Sequence, residues 1–361
     1  MAARDASRRT PATPPAARSR FVRQKKVREV AYAGPMDNPG LSWLDPHRPA
    51  PAFASMATLS TPQATPKPIL PLKGVRILSL ALNLPGPAAL MRCRQMGATC
   101  VKLEPPAHPS APKGTPGDPM GLYNRAAYDT LHQGMRIASA DLKSEQGQKA
   151  LHRELAKTDV LLTSFRPSAL KKLGLDWKTL HKLYPTLSLV AIFGAPGARA
   201  EEPGHDLTYL AENNLVGGLD LPPTLYADMG GSLMASEAVL KARLHQLQKG
   251  KGVRLDVALS IAAAYLALPR SWGLTKPGAA VGGGHAGYRV YPCKDGRVAV
   301  AALEPHFAAA LAQAAGLKAS HIMAMFAPES HAGVASFLLT QTRLQLDALA
   351  VEKDIPLYTL P

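Results

Sequence analysis

Between residues 72 and 260, short apolar runs alternate with longer stretches whose apolar positions recur every three to four residues. Residues 75–80 form a β-prone run that ends in the breaker cluster Asn83-Leu84-Pro85-Gly86-Pro87. Residues 88–96 then predict a helix, with Pro87 suited to its first position and Gly97 just past its end. Residues 99–103 predict a second strand. Strand, helix and strand in so short a span imply a βαβ unit and a parallel sheet. The alternation continues: helices over 146–157 and 167–173, buried strands over 159–163 and 187–193, helices over 205–213 and 232–248, and a closing strand over 253–257. An open α/β domain, Rossmann-like in its parallel sheet, is expected over 71–270, with ligands beyond the carboxyl ends of its strands.

Residues 271–287 read as a linker, Gly-rich at Gly282-Gly283-Gly284-His285-Ala286-Gly287, and as a mobile lid over a bound chain. Residues 288–361 predict a smaller α+β domain that opens with a hairpin, residues 288–291 and 297–302, around Lys294-Asp295-Gly296. Residues 1–70 lack sustained periodicity and are rich in Pro, Ala, Arg and Ser. Their Arg-rich, acid-poor start has the composition of a transit peptide, but a disordered extension, or a true start at Met56, is the favoured reading.

Composition narrows the function classes. Apolar residues make up 46% of the 361 and charged residues 19%, ordinary for a globular protein. The longest apolar runs are too short to cross a bilayer, so no membrane partner is expected. Cys93, Cys100 and Cys293 form no CxxC spacing. Neither a disulfide framework nor a zinc site is expected, and the reducing cytoplasm is the natural setting. The net charge of +16 asks for an explanation. Residues 1–55 hold ten Lys/Arg against four acids, leaving most of the excess to the folded part. No zinc finger, RNA-recognition signature or aromatic-interleaved basic patch accompanies it, so a nucleic-acid partner is not expected. A site for a small polyanion is the better reading.

Three residues carry candidate chemistry. His205 follows Pro203-Gly204 at a predicted helix start, where a histidine is ordinarily structural or solvated. Its side-chain type also titrates near neutrality and suits proton shuttling. Asp228 precedes Met229-Gly230-Gly231 and reads as an N-cap, or as a carboxylate beside free helix N–H groups that stabilise an oxyanion. Glu304 ends a strand before Pro305 and reads as a surface carboxylate, or as a group that orients a histidine. Together they supply an acid, a base and an orienter for moving a proton on a carbon next to a thioester carbonyl.

An ordered series of short motifs surrounds these residues: Leu72-Lys73-Gly74-Val75-Arg76-Ile77-Leu78, Leu84-Pro85-Gly86-Pro87, Met96-Gly97-Ala98, Lys102-Leu103-Glu104-Pro105-Pro106, Asp141-Leu142-Lys143-Ser144, Phe165-Arg166-Pro167, Leu173-Gly174-Leu175, Gly204-His205-Asp206 and Lys249-Gly250-Lys251-Gly252. Each is weak alone; their order and spacing resemble the family III CoA-transferases (CaiB/BaiF type), over most of 72–310. The histidine in Gly204-His205-Asp206 is similar to that of the α-methylacyl-CoA racemase branch. The resemblance implies a large α/β domain, a small domain, an interlocked homodimer, an acyl-CoA thioester as substrate, no metal and no tightly bound cofactor, coenzyme A entering as part of the substrate.

The resemblance also implies roles. In racemases, the residues matching His205 and Asp228 face opposite sides of the α-carbon with Glu304 behind the histidine, which points to 1,1-proton transfer on a 2-methylacyl-CoA. In transferases, the aspartate matching Asp228 forms an acyl anhydride and then an aspartyl-CoA thioester. Coenzyme A contacts fall on Lys143, Arg166, Gly204, Asp206 and Tyr209, with Lys172 as a further phosphate partner. The chain departs from the pattern at Phe193-Gly194-Ala195-Pro196-Gly197, which lacks the usual glutamine, and at Met135, where a lysine is usual. The segment from His205 to Asp228 is short, and the small domain is expected to be truncated, since the family continues past the position of Pro361. A catalytically degenerate binder of CoA thioesters is therefore a third reading beside racemase and transferase.

Overall fold

The computed structural model of the chain describes residues 68–318 and 322–361. The expected N-terminal extension, including Met56, lies outside the described residues apart from its last three. Six strands, β1 (Arg76–Ser79), β2 (Thr99–Glu104), β3 (Arg136–Ser139), β4 (Val160–Thr163), β5 (Ser188–Phe193) and β6 (Arg254–Ala258), form one sheet in the order β3-β2-β1-β4-β5-β6. Every pairing is parallel, as the βαβ reading requires. The order reverses between β1 and β4, which opens a crevice beyond their carboxyl ends.

Helices cover both faces, so consecutive residues of a strand enter different cores. Ile77, Val160, Leu162, Val190 and Ile192 pack toward the helices Pro85–Gln95 and Tyr226–Lys249. Leu78, Leu161, Leu189, Ala191 and Phe193 pack on the opposite face, with Leu151, Leu155, Leu170 and Leu180. Elements not expected from the sequence include the edge strand β3, whose residues are largely exposed, and the helices Arg125–His132 and Trp177–Leu183.

A second, antiparallel sheet joins β7 (Tyr288–Cys293), β8 (Gly296–Ala301) and β9 (Leu357–Leu360) in that order. The expected hairpin is present, with Cys293 opposite Gly296, so Lys294 and Asp295 alone make the turn. The chain's last residues supply β9, which the sequence pattern had not marked. Tyr291, Val298, Val300, Leu311, Val334, Leu338 and Leu346 form a separate core here. Among the described residues, no helix is long and apolar enough to cross a membrane. All three cysteines are free and buried.

Candidate active site

The crevice at the strand reversal holds a cavity of about 700 Å³. Loops after four strands wall it: Leu82, Asn83 and Leu84 after β1, Ser164 and Arg166 after β4, Gly194 after β5, and Leu259 after β6. Gly204, His205, Asp206, Leu207 and Tyr209 form a further wall, joined by Leu225 and Asp228. His205 and Asp228, far apart in sequence, are thus brought to one cavity.

Asp228 does not precede a helix, as its neighbours Gly230 and Gly231 suggested. The helix starts at Tyr226 and runs to Lys249, and Asp228 lies in its first turn. The two glycines allow close packing rather than a break: a Cβ on Gly231 would overlap the Leu259 side chain. The Asp228 N–H donates to Asp206 Oδ1 at 2.9 Å. Burial, and next the charge of Asp206, raise the Asp228 carboxyl from 3.8 to about 7.

His205 is extended and exposed, and caps the short helix Asp206–Glu212 by backbone contacts. Its N–H donates to Thr208 Oγ1 at 3.1 Å, and that hydroxyl donates back to the His205 carbonyl at 2.7 Å. These bonds fix the backbone at the cavity wall. Gly204 is required here because the hydroxyl of buried Tyr209 stands where a Cβ on Gly194 or Gly204 would lie. The Tyr209 hydroxyl is raised by burial and then by the Asp228 charge, with Arg166 acting against it.

The other sequence-derived residues divide. Arg166, exposed, lines the cavity at the start of the helix Pro167–Lys172. Lys143 and Lys172 are exposed and do not line it. Glu304 does not reach it either: it is exposed and sits at the N-cap of the helix Pro305–Ala314, without a side-chain cap bond. In the Gly-rich stretch, Val281 and Gly283 line a different cavity against β7 and β8, and no residue of 271–287 lines the one holding His205 and Asp228.

Sequence reasoning missed Asn83 and Tyr123, which also line the cavity. Asn83 has a left-handed backbone (φ 63°), a conformation asparagine tolerates better than most residues. The Tyr123 hydroxyl lies 3.5 Å from Asn83 Oδ1 and is raised by burial, then by the charges of Asp118 and Asp228. It also missed a buried polar cluster behind them. Glu104, Asp118 and His132 bring ligand-type atoms within 4.8 Å of one another. The Lys102 ammonium already fills the centre of that group, against Asp118, against Glu104 at 3.0 Å and against His132 Nε2 at 2.8 Å. The signal was available: Lys102 and Glu104 are charged residues within a buried parallel strand.

The sequence pattern of CoA-transferase family III matches residues 72–359. The chain belongs to this family. Over 269 residues it is 31% identical to an α-methylacyl-CoA racemase of Mus musculus, covering 70% of this chain and 66% of the relative. Over 204 residues it is 31% identical to a cinnamoyl-CoA:phenyllactate CoA-transferase of Clostridium sporogenes, covering 53% and 50%. The chain thus spans between half and two thirds of these curated relatives. Two solved structures share the fold: a Mycobacterium tuberculosis protein in an orthorhombic crystal form (22% identity, TM-score 0.68, 81% of this chain and 83% of that one) and a CaiB/BaiF family protein of Brucella suis (21%, 0.66, 81% and 85%).

Proposed function

We propose that the chain catalyses 1,1-proton transfer at the α-carbon of a 2-methylacyl-CoA, with His205 and Asp228 as the acid/base pair. The observation that carries this reading is the raised carboxyl of Asp228 in the same cavity as the exposed His205. A carboxyl that titrates at about 7 exchanges a proton near neutrality, and imidazole is the side chain best suited to do the same. One group removes the α-proton, and the C–H electrons move onto the thioester oxygen as an enolate. The other returns a proton to the opposite face, so only the configuration changes.

Coenzyme A enters as part of the acyl-CoA, with no tightly bound cofactor or metal. Arg166 takes a phosphate at the cavity, beside Gly204, Asp206 and Tyr209, while Lys143 and Lys172 remain exposed for phosphates that extend beyond it. Glu304 lies away from the cavity within one chain, so its part in orienting His205 belongs to a homodimer in which a second copy delivers it. The setting is cytoplasmic, and neither nucleic acid nor membrane is a partner.

A second reading is CoA transfer through an Asp228 thioester, favoured by the transferases among the similar proteins. The two separate in D₂O. With (R)- or (S)-2-methylacyl-CoA, the α-proton signal disappears under the first reading, and His205→Ala and Asp228→Ala each slow its loss at least 100-fold. No exchange in the parent across several acyl chains removes the racemase reading. Hydroxylamine-sensitive labelling of Asp228 then supports transfer, and CoA binding without labelling or turnover supports a degenerate binder.

A further inference from the structure

The cluster around Lys102 is buried, charged and outside the cavity, and its bonding is complete. The ammonium hydrogen-bonds to Asp118 Oδ2 and His132 Nε2 and is ion-paired with Glu104 Oε1. His132 Nδ1 lies 2.6 Å from the Tyr128 carbonyl, which places its proton there and leaves Nε2 to accept from Lys102. Burial, then the Lys102 charge, keep this imidazole neutral by lowering its pKa. The Tyr128 hydroxyl donates to Glu104 Oε1 at 2.9 Å, and the N–H groups of Gly117 and Asp118 donate to Glu104 Oε2 at 3.1 and 3.3 Å.

One member of the cluster, itself buried, bonds to the turn at the cavity wall. Asp118 accepts the Met120 N–H at 3.0 Å and the Asn83 N–H at 3.1 and 3.2 Å from its two oxygens. Asn83 is exposed, and its left-handed turn is tied at one further point, where the Leu82 N–H donates to Ser164 Oγ at 3.3 Å. Asn83 and Tyr123 share the cavity wall with Asp228. A buried ion network of this kind is a poor source of net stability, since desolvation offsets its attraction. Rigid placement of what it touches is a better account of it.

We propose that Lys102 and Asp118 are positioning residues: the buried network clamps the turn at residues 82–84, and so fixes Asn83 and Tyr123 in the cavity that Asp228 lines. Asn83 and Tyr123 then present a preset amide and hydroxyl to the thioester end of the substrate, while Lys102 and Asp118 never touch it. The inference deepens the proton-transfer reading and rests on it for one arm of its test only.

The first arm needs no variant and no substrate. In the parent, amide hydrogen exchange across residues 80–87 should include an Asn83 N–H exchanging at least 100-fold slower than an open peptide, although that residue is exposed. Exchange at the open-peptide rate overturns the proposal. The second arm uses Asp118→Asn, which keeps the side chain's shape and leaves Lys102 balanced by Glu104. Protection at 80–87 should fall at least tenfold while β1 and β4 keep theirs, and kcat for α-proton exchange should drop at least tenfold with KM within twofold. Unchanged protection at 80–87, loosening spread evenly through β1 and β2, or an effect on KM alone would overturn it. A parent that shows no α-proton exchange counts against the proton-transfer reading, and hydrogen exchange still decides the clamp.

Discussion

At the scale of single residues, Asp228 is the most consequential group, and its environment carries a prediction in pH. Its carboxyl moves from 3.8 to about 7 through burial and then through the charge of Asp206, which also accepts its backbone N–H. Between those values the folded chain holds a proton that the unfolded chain has lost, so stability falls as pH rises through the window. Asp228→Asn should therefore match the parent near pH 3 and exceed it at pH 8, by at most about 4 kcal/mol, in urea melts at the two pH values. A variant less stable than the parent at both pH values would show that the carboxyl is not held against ionisation. Asp206→Asn keeps the acceptor for the Asp228 amide but removes the charge. The acidic limb of the pH profile for α-proton exchange should then move to lower pH; a limb that stays put assigns the shift to burial alone.

At the scale of elements, glycines separate what a pattern reveals from what packing decides. Gly250 ends the helix Tyr226–Lys249 in a left-handed conformation (φ 66°), and nothing crowds the space where its side chain would be. Gly252, two residues on, has an ordinary backbone, but a Cβ there would collide with the Leu187 carbonyl next to β5. Gly250→Ala should thus cost about 1 kcal/mol, from backbone strain. Gly252→Ala should cost roughly 3 kcal/mol, since the β5–β6 approach must open. Chemical denaturation of the two variants ranks them, and equal costs would refute the close approach. The same distinction explains what was legible in the sequence. Strands β4 and β5 were readable because continuous apolar runs are the mark of a sheet covered on both faces, and β1, β2 and β6 from short β-prone runs within the strand–helix alternation. β3 was not, since its exposed Arg136–Ser139 carries neither alternation nor a run. His205, Asp228 and Arg166 were readable from local motifs, and the fold brings them together. Asn83, Tyr123 and the Lys102 cluster were not, because their meaning arises from contacts between β2, the loop after β1 and the helix Arg125–His132. Glu304, legible as a motif, has no place at the cavity of a single chain.

At the scale of the whole molecule, two sheets with separate cores divide the work. The parallel sheet has its strand reversal at the cavity, and its two cores pack the elements that carry His205 and Asp228. The antiparallel sheet lines none of that cavity and depends on the chain's last residues. β9 pairs with β8 from Val300 opposite Leu357 to Arg297 opposite Leu360, and Ile355 just before it is buried in the same core as Leu346 and Val298. Cutting the chain after Asp354 removes the β8–β9 ladder, the Ile355 side chain and the contact from Thr359 Oγ1 to Asp347 at 2.9 Å. What remains is a two-stranded hairpin with helices on it, too little ladder to hold a sheet strongly. Because the two cores are distinct, the damage should stay local. Hydrogen exchange should show protection across Tyr288–Cys293 and Gly296–Ala301 falling at least tenfold, with β1, β4 and β5 within twofold of the parent. Loss of protection through the parallel sheet as well would mean that the two sheets unfold as one unit, and that the cavity holding His205 and Asp228 depends on a strand that never touches it.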